Sequence, residues 1–233
     1  MKVTLFVPTL NEIVGMKAIM PKIQPGWCDQ ILVVDGKSTD GTVEYARQQG
    51  YDVVIQSKPG IRHAFIEAFP QVKGDVVITF SPDGNSIPEL IPELIAKMKE
   101  GHDMVIASRY APGAKSEDDD WMTGFGNWLF TKTVNVLHGG HYTDAMVIYR
   151  AYRTKLFYEL DLDKEESYAP EKLFCTVIGI EPLLSVRAAK RKLKTTEIPG
   201  DEPARVGGVR KLQAFRWGAA YQAQFYRELF YWK

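Results

Sequence analysis

Apolar and polar positions fall into alternating blocks along the first 110 residues. VTLFVP (3–8), QILVVD (30–35), YDVVIQ (51–56), DVVITF (75–80) and DMVIAS (103–108) are short runs of mainly apolar residues. Runs of this kind predict strands buried on both faces. Between them, residues 12–23, 42–50, 62–69 and 88–101 have helical character, with Gly50 and Gly101 as stops and Pro88 near a start. Strands alternating with helices predict an α/β fold, a mostly parallel sheet with helices on both faces.

The pattern changes after Tyr110. APGAKSEDDDW (111–121) is a polar, acidic loop, 122–138 reads as a helix, and HGGHYTD (138–144) reads as a turn before the apolar AMVIYRAYR. A further helix is expected over 169–179, and 181–211 mixes strand signals with basic residues and glycines. The last segment carries eight aromatic residues between Phe215 and Trp232. No repeat or low-complexity linker interrupts the chain. The expectation is one catalytic domain over 1–233, with a nucleotide-binding half at 1–112 and an acceptor-binding half at 113–233.

Composition narrows the classes. The 233 residues carry 29 basic and 29 acidic side chains, so no bulk field recruits nucleic acid, and any charged partner must be met locally. Cys28 and Cys175 match no metal spacing and read as free thiols of a cytoplasmic protein. The first residues start like a strand rather than a signal peptide, and no run of about 18 apolar residues predicts a spanning helix. His63, His102, His138 and His141 lack zinc spacing. GxGxxG, GxxxxGK[ST] and GxSxG are all absent, which weighs against dinucleotide enzymes, P-loop NTPases and nucleophile-elbow hydrolases.

Ligands of an open parallel sheet bind beyond the carboxyl ends of its strands. There the sequence places Pro8, Thr9, Asn11 and Glu12, then Asp35 and Lys37, then Lys58, Gly60 and Arg62, then Asp83 and Asn85, then Arg109. One such loop alone reads equally well as a turn, whereas five together are harder to dismiss as turns.

The ordered segments VPTLNE, VVDGKSTDGT, GDVVITFSPDGNSIPE, ASRY and TDAMVIYRAYR, followed by RVGGVRK (205–211), resemble the family 2 glycosyltransferases of the GT-A, Rossmann-like fold. Within them the chain is most similar to the polyprenyl-phosphate (dolichyl-phosphate) sugar transferases, over roughly residues 3 to 211. The resemblance implies that Pro8, Glu12 and Asp35 hold the base and ribose of a nucleotide-diphosphate sugar, UDP- or GDP-linked. It implies that Asp83 and Asn85 hold Mg²⁺ or Mn²⁺, and that Arg109, Arg205 and Lys211 meet donor and acceptor phosphates. The reaction implied is in-line displacement with inversion onto a polyprenyl phosphate or related acceptor.

Three departures qualify it. The first aspartate of the metal pair is Ser81, so the metal is expected to arrive with the donor rather than before it. Asp118, Asp119 and Asp120 stand where an arginine is common; they read as a solvated loop, or else the acceptor differs or binds elsewhere. Val147 and Ile148 replace a Ser-Gly pair. A hydroxyl acceptor would need a base, for which Asp144 is the first candidate and Glu171, Asp118 and Asp120 weaker ones. The aromatic tail reads as a peripheral membrane contact, a cover for the core or a dimer contact. A sugar-1-phosphate nucleotidyltransferase and a degenerate nucleotide-sugar-binding module are the rival readings.

Overall fold

The computed structural model describes residues 1–207 and 214–232. Its elements in chain order are β1 (Val3–Thr9), α1 (Ile13–Ile19), β2 (Gln30–Asp35), α2 (Thr42–Gln48), β3 (Asp52–Ile55), α3 (Ile61–Ala68), β4 (Val76–Thr79), α4 (Ile91–Lys99), β5 (Met104–Ser108), α5 (Trp121–His138), β6 (Arg150–Arg153), α6 (Leu156–Glu159), α7 (Pro170–Phe174), α8 (Glu181–Lys190), β7 (Thr195–Pro199) and α9 (Ala214–Arg227). All described strands join one sheet in the order β3-β2-β1-β4-β6-β5-β7. Every pairing is parallel except those of β6, which runs antiparallel between β4 and β5.

The five apolar runs of the first half all become strands, because Val, Ile and Leu on both faces of a strand need cover from both sides. Leu5, Phe6, Val7, Leu32, Val33, Val34, Val76, Val77 and Ile78 are fully shielded. The second half does not form a sheet of its own. β6 is inserted between β4 and β5, and β7 pairs with β5 in register Met104↔Thr195 to Ser108↔Pro199. The antiparallel insertion brings the residues before β6 to the same sheet edge as the ends of the parallel strands.

Two elements differ from expectation. The start of the 181–211 segment is helix α8, not strand. Every residue from Glu181 to Ala189 is buried, so the helix shows no polar face and hence no 3.6-residue period. The 169–179 segment is helical only over Pro170–Phe174, stopped by Cys175 in the left-handed region at φ 47°.

Two arginines are among the largest fully buried side chains. Arg150 lies on β6. Its guanidinium donates to the carbonyls of Ala145 (3.2 Å), Val147 (2.8 Å) and Glu181 (3.2 Å) and to the Ser185 hydroxyl (2.8 Å). It thereby ties the 145–147 segment to α8. Arg187 of α8 pairs with Glu228, just past α9, at 2.9 and 3.0 Å, both side chains at 0% exposure. Trp232 stacks over Arg187 at 5.0 Å. The aromatic tail therefore does cover the core, with Phe225 and Trp232 buried, while Phe215 and Phe230 stay exposed.

Gly15 of α1 matters for placement of the β4 loop. A Cβ there would lie 2.3 Å from the Pro82 carbonyl oxygen and 3.0 Å from Asp83 Cα. Only hydrogen at this position lets the turn after β4 seat on α1.

Glu228→Ala leaves the Arg187 charge buried without its carboxylate and is expected to destabilise the chain by about 3–5 kcal/mol in urea unfolding. Gly15→Ala overpacks the α1 contact and is expected to lose about 1–3 kcal/mol in the same measurement.

Candidate active site

The loops follow one another along the carboxyl edge in sheet order: those after β2 and β1, then the turn after β4, then the segment entering β6, then the ends of β5 and β7. Toward the middle lies a cavity of about 240 Å³ lined in part by Ser81, Asp83, Asn85, Arg109, Tyr149 and Arg205.

The loops after β1 and β2 brace each other. Thr9 and Asp35 are register partners, and Asp35 is fully buried. Its carboxylate accepts from the Thr9 hydroxyl (2.9 Å), the Ser38 hydroxyl (2.6 Å) and the Ser38 amide (2.7 Å). Asn11, in the left-handed region at φ 56°, donates its amide to Ser38 Oγ (2.7 Å) and accepts from the Thr39 amide (2.9 Å). Glu12 donates its amide to Thr42 Oγ1 at 3.1 Å, and Lys37 reaches the Ser57 carbonyl at 2.8 Å. The expected nucleotide-binding residues Pro8, Thr9, Asn11, Glu12, Asp35 and Lys37 thus lie on neighbouring loops. Asp35 lies beneath, as the anion that shapes the loop.

The residues after β3 behave differently. Arg62, expected at the nucleotide, is buried and lines no part of the cavity. It pairs with Glu171 at 2.6 Å and Glu165 at 3.1 Å and lies over the Tyr168 ring at 4.6 Å. A guanidinium removed from water needs such partners, and here they clamp α3 to α7. Glu171, a weaker candidate for a base, is taken up by the same clamp. Gly60 packs against Val177, and Lys58 is exposed with its amide bonded to Glu67.

Asp83 is 5% exposed at the turn after β4. One oxygen accepts from the Asn85 amide (3.1 Å), and the other pairs with Arg205 Nη1 (2.7 Å). The Asp83 carbonyl accepts from the Val206 amide at 2.7 Å. Gly84 permits this cover at φ 102°, where a Cβ would lie 2.6 Å from a Val206 methyl. The Asn85 side-chain amide donates to Asp118 at 3.0 Å, while its Oδ1 is buried and accepts no hydrogen bond.

Arg109 follows β5. Its guanidinium donates to both oxygens of Asp144, at 2.7 and 3.1 Å, and approaches Glu202 at 3.5 Å and Asp119 at 3.7 Å. Asp144 is 0% exposed and also accepts from the amides of Met146 (3.2 Å) and Val147 (3.1 Å). Burial pushes its carboxyl up, but Arg109 and the bonds to it outweigh that and hold it below the usual carboxylate range. Both oxygens of Asp144, the first candidate for a general base, are engaged, and the group is hard to protonate. Its geometry suits orienting Arg109, not taking a proton. Burial pushes Glu202 up, against the pull of Arg109.

The acidic loop is not merely solvated. Asp118 meets Asn85 and, at 3.8 Å, Arg205; Asp119 accepts from the Tyr110 hydroxyl and from Asn127 at 3.3 Å; Asp120 caps α5 by accepting from the Thr123 amide at 2.7 Å. Sequence reasoning missed Glu202, Asn127 and Tyr149. Tyr110, inside ASRY, and Tyr149, inside TDAMVIYRAYR, carried a signal; Glu202 and Asn127 lie outside the quoted motifs. Lys211 lies outside the described residues.

The donor set at Asp83, Asn85 and Asp118 is all oxygen and amide, with one buried amide oxygen unused, which suits Mg²⁺ or Mn²⁺. Among the described residues, no group of three or more His, Cys, Asp or Glu side chains is placed to hold a metal.

Comparison with known proteins bears on this arrangement. The family model for glycosyl transferase family 2 matches residues 5–161. Glycosyltransferase AglJ of Haloferax volcanii is 28% identical, covering 96% of this chain and 74% of its own length. Undecaprenyl-phosphate mannosyltransferase of Micrococcus luteus is 27% identical, covering 85% of this chain and 82% of its own. Among solved structures, glucosyl-3-phosphoglycerate synthase of Mycobacterium tuberculosis, in complex with Mg²⁺ and UDP, superposes with a TM-score of 0.68 at 19% identity over 98% of this chain and 79% of that one. That likeness carries the fold, GT-A. The family match runs from β1 to just past α6 and takes in Asp35, Asp83, Arg109 and Asp144, and the chain belongs to glycosyl transferase family 2 and is a glycosyltransferase.

Proposed function

We propose that this glycosyltransferase moves a hexosyl group from a UDP- or GDP-linked sugar to a polyprenyl phosphate, with inversion, at a membrane surface. The donor is water-soluble and the acceptor lipid-bound, so the enzyme would work as a peripheral protein on the cytoplasmic side. The names of several relatives support this acceptor class, among them polyprenol monophosphomannose synthase of Mycolicibacterium smegmatis, 28% identical over 88% of this chain and 79% of its own length.

The observation that carries the reading is the face of α5. Asp118 and Asp119 reach the site, and α5 starts two residues later with Trp121, Met122, Phe125 and Trp128 all exposed, Trp121 at 84%. Large apolar side chains clustered beside a polar cleft mark an interaction surface. A lipid whose phosphate enters the cleft would have that face for its chain. Among the described residues, no helix is long and apolar enough to cross a membrane.

The chemistry follows from charge. A phosphate monoester has a second pKa of about 6, so it enters as an anion that needs orientation rather than a base. The loops after β1 and β2 would hold the base and ribose. Asp83 and Asn85 would hold the divalent ion, which supplies charge neutralisation for the departing nucleoside diphosphate. Arg109, fixed by Asp144, and Arg205 present guanidinium groups suited to phosphate oxygens. An acceptor oxygen attacks the anomeric carbon from the face opposite the leaving group.

The deciding assay incubates the chain with Mn²⁺, labelled UDP- and GDP-sugars and undecaprenyl phosphate in liposomes. Sugar is expected in the organic phase; transfer to water-soluble acceptors alone, or no transfer, would sink the reading. Arg109→Lys loses the two-pronged contact and is expected to lower kcat/KM by about 100-fold while nucleotide affinity holds. Asp144→Asn is expected to lower rate and stability together and leave the shape of the pH–rate profile unchanged. Loss of the acidic limb in that variant would instead show Asp144 acting as a base.

A further inference from the structure

We propose that Asp118 supplies the carboxylate that Ser81 lacks, so that Asp83 and Asp118 hold the divalent ion between them, and that Arg205 competes with the ion for these carboxylates. The inference rests on the transferase reading above and adds a ligand and a gate to it.

Ser81 puts a neutral hydroxyl where a second carboxylate would strengthen the hold on a cation. It lines the same cavity as Asp83 and Asn85. The missing charge arrives from the loop before α5. Asp118 Oδ2 is held at 3.0 Å by the side-chain amide of Asn85, whose backbone amide in turn bonds Asp83 at 3.1 Å. The three side chains thus form one connected group across two loops.

A cation already lies between the two carboxylates. The Arg205 guanidinium places Nη1 at 2.7 Å from Asp83 and Nη2 at 3.8 Å from Asp118. Two carboxylates brought this close repel unless a positive charge separates them. One guanidinium neutralises one of the two charges, whereas a divalent ion neutralises both. The hard-oxygen set of two carboxylates and the unused Asn85 Oδ1 matches Mg²⁺ or Mn²⁺, which keep waters and take diphosphate oxygens in their remaining positions. The exchange frees Arg205 to move to those phosphates, where its planar fork binds two oxygens at once. Donor binding and release of Arg205 are then one event, which makes metal affinity depend on nucleotide.

The test titrates Mn²⁺ by the loss of the free-ion EPR signal, with and without UDP or GDP, and checks each variant's fold by near-UV circular dichroism. Asp118→Asn keeps an acceptor for Asn85 but loses the charge. It is expected to weaken nucleotide-dependent Mn²⁺ binding by about 10–100-fold, the range for a change in a metal's immediate support or beyond. Ser81→Asp added to that variant should restore affinity, and Asp120→Asn, which keeps the α5 cap, should leave it unchanged. Arg205→Gln should tighten Mn²⁺ binding without nucleotide, and adding Asp118→Asn to it should reverse the gain. Should Asp118 act only by positioning Arg205, the last pair would show no difference and the inference falls. It falls too where Asp83→Asn weakens Mn²⁺ and Asp118→Asn does not, an outcome that leaves the transferase reading standing. Absence of Mn²⁺ binding with either nucleotide also overturns it, and the liposome assay then reports separately on transfer.

Discussion

The buried carboxylate of Asp144 organises the part of the cleft where β5 meets the segment entering β6. It has no exposure to water, and its oxygens bind the Arg109 guanidinium and two successive backbone amides. A lone charge so placed would be intolerable; matched with an arginine and amide donors it becomes a fixed joint. The joint connects the end of β5 to the segment entering β6. It also sets the direction of Arg109, whose remaining contacts are acidic groups at the cleft rim. Removing either partner leaves a buried charge, so specificity of position and stability are coupled here.

Arg150 completes the joint from the other side. It donates to the carbonyls of Ala145 and Val147, so the segment after Asp144 is gripped through its carbonyls as well as its amides. Irregular backbone in a protein interior must have its polar groups satisfied, and this arginine does so without secondary structure. Arg187 serves the tail in the same manner, through Glu228 and the carbonyls of Leu160 (2.6 Å) and Asp161 (3.1 Å). Arg150 and Arg187 thus tie irregular segments of the second half together, within a core that is apolar in both halves.

The order of loops along the sheet edge is also an order of charge. The loops after β1 and β2 offer hydroxyls and amides, the turn after β4 offers carboxylate and amide, and the ends of β5 and β7 offer guanidinium groups. Under the proposed function, a nucleoside diphosphate laid along such an edge would find neutral donors for its base and carboxylate and guanidinium groups beside its phosphates. The acidic groups Asp118, Asp119 and Glu202 balance Arg109 and Arg205, which lets two guanidinium groups line one cavity.

Five apolar runs and the helices between them were legible in the sequence, because strands covered on both faces leave continuous Val/Ile/Leu stretches. The strand-end residues followed from that reading: Asp35, Asp83 and Arg109 stand within a residue or a turn of their strands, and a parallel sheet puts such positions on one edge. Pattern did not reveal α8, buried all round and so without a period, or the insertion of β6 between β4 and β5, which pairing across the chain decides. It did not reveal that Arg62 turns inward to Glu171, since an exposed and a buried arginine look alike in a sequence. Nor did it show Asp118 and Asp119 meeting Arg205 and Arg109: charges distant along the chain are brought together only by the sheet order. Local spacing determined which residues could be chemical, and tertiary packing decided which of them are held in water's reach and which are spent in holding the others.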